Sequence, residues 1–331
     1  MRQNRVLVIL FAMLLTMMVF IPSYQAPNTN NPIENRDDCV VLINESFENG
    51  FPPENWTNFG WIDSPPYGEP YHGDHYAWSW SVGDELTTPP LEFGVNTTLT
   101  FWYRAEYATH PMDSEVYVND TLVWHDYGYT HDYYIMATVY LDSFSGLKTI
   151  AFHGHLNGDF YGDMLDLITV TTLYEDVNQS VQDRGFPIRH ALDGDWGAAQ
   201  NFTTTYDHLA YAEIFLRKFG TPEFNLTVEL RENHPQGNLI DTLTFTPEEV
   251  PTVWEWFTVD FTDITIDPTT EYFIVCPPAP SGVTNSFGYE WGYAFGNQYD
   301  DGSFWFTRDG GGLWRDLPSM YEFSFRTYGY N

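Results

Sequence analysis

LAYAEIFLRKF, Leu209–Phe219, is the one stretch of the chain with a helix-like composition. Its Ala, Leu, Glu, Arg and Lys are good helix formers. The same residues also alternate, with Tyr211, Glu213, Phe215 and Arg217 on one face of an extended strand. We read it as a strand, because its surroundings are β throughout. TLTFWYRAEY (98–107), SEVYVNDTLVW (114–124), LKTIAFHGH (147–155), DLITVTTLY (166–174), NLTVELRE (225–232), WEWFTVDFTDITI (254–266) and EYFIVC (271–276) alternate or run in β-branched and aromatic residues. Pro, Gly, Asn and Asp separate them. Short strands at this spacing predict sandwiches or jelly rolls rather than βαβ units.

The 331 residues carry 46 acidic and 13 basic side chains, a formal charge of −33. Such a surface repels phosphate backbones and excludes nucleic acid as a partner. It favours cations as partners, and it also serves solubility in a salty or calcium-rich medium.

Arg2 and Arg5 precede the apolar run Val6–Ile21, which reads as a secretory signal or an uncleaved anchor over residues 1–26. Either way the body is exported, to the cell surface or beyond it. Residues 27–37, PNTNNPIENRD, read as a polar linker. N-x-S/T sequons at Asn44, Asn55, Asn96, Asn119, Asn178, Asn201 and Asn225 are glycosylation candidates of an exported chain. Cys39 and Cys276 can pair in an oxidising compartment or stay as two thiols. The acidic, polar stretch YEDVNQSVQDRG (174–185) lacks a hydrophobic run, so a domain boundary is placed there. The reading is all-β: two β-sandwich domains in tandem, 38–175 and 176–331, after the hydrophobic segment.

Over residues 40–174, ESFENGFPPENWTNFGW (45–61), YHGDHYAWSW (71–80), LTTPPLEFGVNTTLTFWYRAE (86–106), VYVNDTLVW (116–124) and GLKTIAFHGHLNGDFYGDMLDLITV (146–170) follow in order. The series resembles the MAM-like, cleaved-adhesin or choice-of-anchor J type of jelly-roll domain. That resemblance implies a secreted or surface-attached, non-catalytic module. It also implies a structural calcium ion (Ca2+) between the first strand, a loop and the last strand. Glu48, Asp74 and Asp166, with Asp163, are the residues that match. The acidic pair of the last strand, usual in the family, is spread here as Asp163 and Asp166. The alternative is that Glu48 and Asp74 are solvated turn residues.

His72 and His75 stand in the same loop without a third partner at metal spacing, and they read as hydrogen-bonded turn residues. Trp78 and Trp80 share a strand face and read as core. Residues 176–331 resemble a carbohydrate-binding-like module. There TRDGGGLW (307–314) resembles an Asp-box through Thr307, Asp309, Gly311 and Trp314, the mark of a stabilised hairpin tip. Trp291, Tyr293, Tyr299 and Trp305 lie near NQYDDG (297–302) and are candidates for a sugar-binding face, with the sandwich core as their other reading. No H-E-x-x-H, nucleophile elbow or phosphate loop occurs, so the chain reads as a non-enzyme. The functions in view are adhesion or binding of extracellular glycans or surface proteins, a purely structural surface component, or a jelly-roll hydrolase using acids such as Glu255 or Glu290.

Overall fold

In the computed structural model Leu209–Phe219 lies within a strand, His208–Phe219, and the described residues contain strands and no helix. These are residues 39–64, 69–79, 81, 83–105, 113–127, 133–154, 163–261, 264–318 and 320–331. The expected export segment 1–26, the expected linker 27–37 and Trp80 lie outside them.

The first sandwich has two antiparallel sheets. One runs Val40–Glu45, Asp163–Gln179, Val95–Ala105, Ile135–Tyr140, with Ala77–Ser79 beside the start of the long strand. The facing sheet runs Thr57–Phe59, Asp84–Thr87, Ile150–Gly154, Asp113–Val118, Thr121–Tyr127. The alternate residues Leu99, Phe101 and Tyr103 turn inward onto Val116, Phe152, Ile168 and Val170. Burial of this apolar set drives the two sheets together.

The second sandwich pairs His208–Phe219 with Phe325–Tyr330, Glu255–Val259 and Gly288–Phe295 in one sheet. The other sheet places Tyr272–Cys276 between Gly194–Phe202 and Leu226–Glu232. Ile214, Leu216, Val228, Ile274, Trp291 and Phe325 meet in its core.

The expected boundary at 174–185 is strand as far as Gln179. The strand Asp163–Gln179 pairs with Val95–Ala105 in its first part and with Phe325–Tyr330 in its last, so it serves both sandwiches. Asp37–Asn331 is one compact unit. The stretch reads as polar because its outward residues Glu175 and Asn178 are exposed, while Val177 and Gln179 are buried beneath. At the junction Gly94 donates its N–H to Thr172 Oγ1 at 2.9 Å. A Cβ on Gly94 would stand 1.9 Å from the Leu173 carbonyl oxygen, so no other residue fits there. Asn96 Nδ2 donates to the Tyr211 hydroxyl across the same junction at 2.9 Å.

The fold places the two cysteines and the sequons. Cys39 and Cys276 form no disulfide. Cys39 packs beside Leu173 and Tyr211 at the junction, whereas Cys276 is fully buried in the second core, where burial raises its thiol pKa. Of the sequons, Asn201 is buried. It donates Nδ2 to Glu271 and accepts the Ser303 N–H, which leaves no room for a glycan. Asn96 is half-buried in its bond to Tyr211, while Asn44, Asn55, Asn119, Asn178 and Asn225 are exposed.

Candidate functional site: the outer face of the first sandwich

The loop His72–His75 is a turn held from both sides by carboxylates. Glu48 Oε1 accepts the N–H groups of Asp74 and His75, at 2.9 and 2.8 Å. The loop closes over Glu48 only because residue 73 is glycine. Its φ is +69°, and a Cβ there would lie 2.3 Å from Glu48 Oε1. On the other side Asp166 Oδ2 accepts the His72 N–H at 2.7 Å, and its Oδ1 accepts the Leu167 N–H at 2.7 Å. Asp166 is fully buried, and burial raises its pKa against the opposing pull of the His72, Leu167 and Tyr71 N–H groups. A β-bulge aims it: Leu167 has φ +44°, and the register with Val95–Ala105 slips between Asp166 and Thr169. His75 Nδ1 lies 2.9 Å from Asp63 Oδ1, and this hydrogen bond, then the Asp63 charge, raises the His75 pKa.

The four expected calcium ligands are therefore not gathered. Glu48 and Asp166 reach the loop, where Glu48 Oε1 and both oxygens of Asp166 accept backbone N–H groups. Asp74 is exposed and contributes its N–H. Asp163 falls in phase with the core residue Leu165, on the side of the strand away from Asp166. Among the described residues no three His, Cys, Asp or Glu side chains are grouped to hold a metal.

What the clamp does position is an aromatic platform. Tyr71, next to the clamped His72, stacks on Trp102 with ring centroids 3.7 Å apart and planes at 14°. Tyr134 closes the stack edge-on at 5.7 Å. Trp102 points outward because it alternates with the buried Phe101 and Tyr103. Register then assembles a face. Met136 lies opposite Trp102, Thr138 opposite Thr100 and Tyr140 opposite Thr98. On the other side Thr169 lies opposite Thr100 and Thr171 opposite Thr98. Tyr71 is 44% exposed, Met136 53% and Tyr140 51%. None of these was singled out in the sequence. The period-two phase of TLTFWY, which sets Trp102 with Thr98 and Thr100, was the available signal, whereas nothing local tied Tyr71 to Trp102.

Of the two readings open for the aromatics of the second sandwich, a sugar-binding face or packing, the structure places them in packed clusters. Trp291 is fully buried, stacks on Phe323 at 4.4 Å and donates Nε1–H to the Ser324 carbonyl at 2.9 Å. Tyr293 packs among Phe295, Phe304, Tyr321 and Phe323. Tyr299 meets Phe325 edge-on, and its hydroxyl accepts the Thr203 N–H. Trp305 belongs to a separate cluster with Ala199, Phe273, Val275 and Trp314. Trp291, Tyr293 and Tyr299 thus pack in or against the core, as the area of large rings favours, whereas Trp305 is half-buried on the opposite side of its sheet. Trp78 is likewise buried, with Tyr76 and Met164. The Asp-box is a hairpin tip: Asp309 Oδ1 accepts from Thr307 Oγ1 at 2.8 Å and from the Leu313 N–H at 2.9 Å. The Leu313 and Thr307 bonds hold the Asp309 pKa down, and Trp314 packs inward on Phe273 and Val275.

No protein-family model and no curated protein matches the chain. Among solved structures it is similar to the K3 cleaved adhesin domain of Lys-gingipain from Porphyromonas gingivalis. The identity is 23%, the match covers 40% of this chain and 99% of that one, and the TM-score is 0.36. It is also similar to the tandem CBM22 domains of a Paenibacillus barcinonensis protein, at 10% identity, 77% and 96% coverage and TM-score 0.33. A Paenibacillus xanthan lyase matches at 12% identity, over 78% of this chain and 27% of that one, with TM-score 0.38. At these scores the likenesses carry nothing about ligand or activity.

Proposed function

We propose that the chain is an exported, non-catalytic binding protein that holds glycans on the outer face of its first sandwich. The observation that carries this reading is the open stack of Tyr71 on Trp102, set beside exposed Met136 and Tyr140 and rows of threonine hydroxyls. A sugar ring presents an apolar C–H face and a rim of hydroxyls. The outer face of Tyr71 receives the first, and threonine hydroxyls bond the second. Export rests on Arg2, Arg5 and the run Val6–Ile21. A glycan array followed by affinity electrophoresis tests the reading. Wild-type protein is retained by at least one glycan, and Trp102→Ala abolishes retention while the fold survives. Equal retention of wild type and Trp102→Ala, or no retention by any glycan, refutes it.

A further inference from the structure

Resting on that reading, we infer that the ligand is an extended, uncharged polysaccharide chain lying along the strands, rather than a single terminal sugar or an acidic polymer. The platform has two aromatic ends. Tyr71 on Trp102 is one, and Tyr140, opposite Thr98, is the other. Trp102 and Thr98 are four residues apart on one strand, so the ends are separated by about 13 Å. That span seats more than one pyranose ring. The interval is hydroxylated, with Thr100 facing Thr138 on one side and Thr169 on the other. Counted across the sheet, one row is Val41, Thr171, Thr98 and Tyr140, and the next is Asn44, Thr169, Thr100 and Thr138. Neither row contains a charged side chain, so nothing in them neutralises a carboxylate or sulfate on the ligand. The field of a chain carrying −33 repels a polyanion before contact. Hydroxyls facing hydroxyls, between two apolar rings, recognise a neutral chain.

The test titrates linear neutral oligosaccharides, cello- and xylo-oligomers from one unit to six, and compares neutral hydroxyethylcellulose and arabinoxylan gels with alginate and polygalacturonate gels. The expected result is affinity rising about tenfold from the shortest to the longest bound oligomer, as the second aromatic end is engaged. Tyr140→Ala removes that gain and leaves short-oligomer binding unchanged. Trp102→Ala removes both, and the acidic gels do not retard the protein. Length-independent affinity, an unaltered length series in Tyr140→Ala, or preference for the acidic gels overturns the inference and leaves glycan binding standing. Absence of retention in every gel and oligomer overturns the inference together with the reading it rests on.

Discussion

Glu322 is a carboxyl group in the interior of the second sandwich, and its titration should be visible in the stability of the fold. It is fully buried, opposite Ala294 on the neighbouring strand. Gln200 Nε2 donates to its Oε2 at 2.7 Å, while Oε1 has no hydrogen-bond partner among the described residues. Burial pushes its pKa from 4.5 up to about 7, against the smaller opposing effect of Gln200. The native fold therefore favours the protonated form. The associated stability is fully present below 4.5 and is lost as pH rises through the folded value near 7. At about 1.4 kcal/mol per pH unit of displacement, the full loss is about 3 kcal/mol. Glu322→Gln keeps the shape and removes the titration. Its amide oxygen can accept the Gln200 bond, and its NH2 takes the side where Oε1 stood. Urea unfolding of both proteins at about pH 4 and about pH 8.5 gives the difference in unfolding free energy at each pH. The remaining acids titrate in both proteins and cancel. The wild type should lose about 3 kcal/mol relative to Glu322→Gln across this interval. Parallel pH profiles would show that Glu322 is not held protonated by burial and would refute the reasoning.

Asp166→Ala removes the acceptor of the part-buried His72 and Leu167 N–H bonds and should destabilise the first sandwich by about 3 kcal/mol, with Asp166→Asn intermediate; calorimetry of the three proteins checks it, and equal melting temperatures refute the clamp. Because Glu48 and Asp166 already bind backbone N–H groups, melting in calcium and in a chelator should coincide; a calcium-dependent rise would show that the loop rearranges to offer its carbonyls. Alkylation under denaturing, non-reducing conditions should label both Cys39 and Cys276, and a mass spectrum showing a bridged peptide would contradict the separate packing of the two thiols. Peptide mapping after expression in a glycosylating host should find Asn201 unmodified, since its amide bonds Glu271 inside the fold; a glycan there would require the site to be modified before folding.

Strand periodicity, the apolar run near the N-terminus and the hairpin at TRDGGGLW were properties of local sequence. Each depends on residues close together in the chain: alternation along Leu209–Phe219, the apolar run Val6–Ile21, the Asp309 turn with its glycines. Which face of a strand meets solvent, and what lies across from it, is decided over long separations. Trp291 and Trp102 look alike locally, yet one fills a core on Phe323 and the other carries Tyr71 on an open face. Glu48 and Asp166, matched to calcium ligands by the resemblance, are the two ends of a loop clamp, with Asp166 directed to His72 beside the bulge at Leu167 and Asp163 on the other side of the strand by alternation. The polar residues that placed a domain boundary at 174–185 were visible in the sequence, whereas the pairing of Tyr174–Gln179 with Phe325–Tyr330 was not. Local sequence carries the period of a strand, but its partners come from the far ends of the chain, and burial of the whole set of apolar faces selects among them.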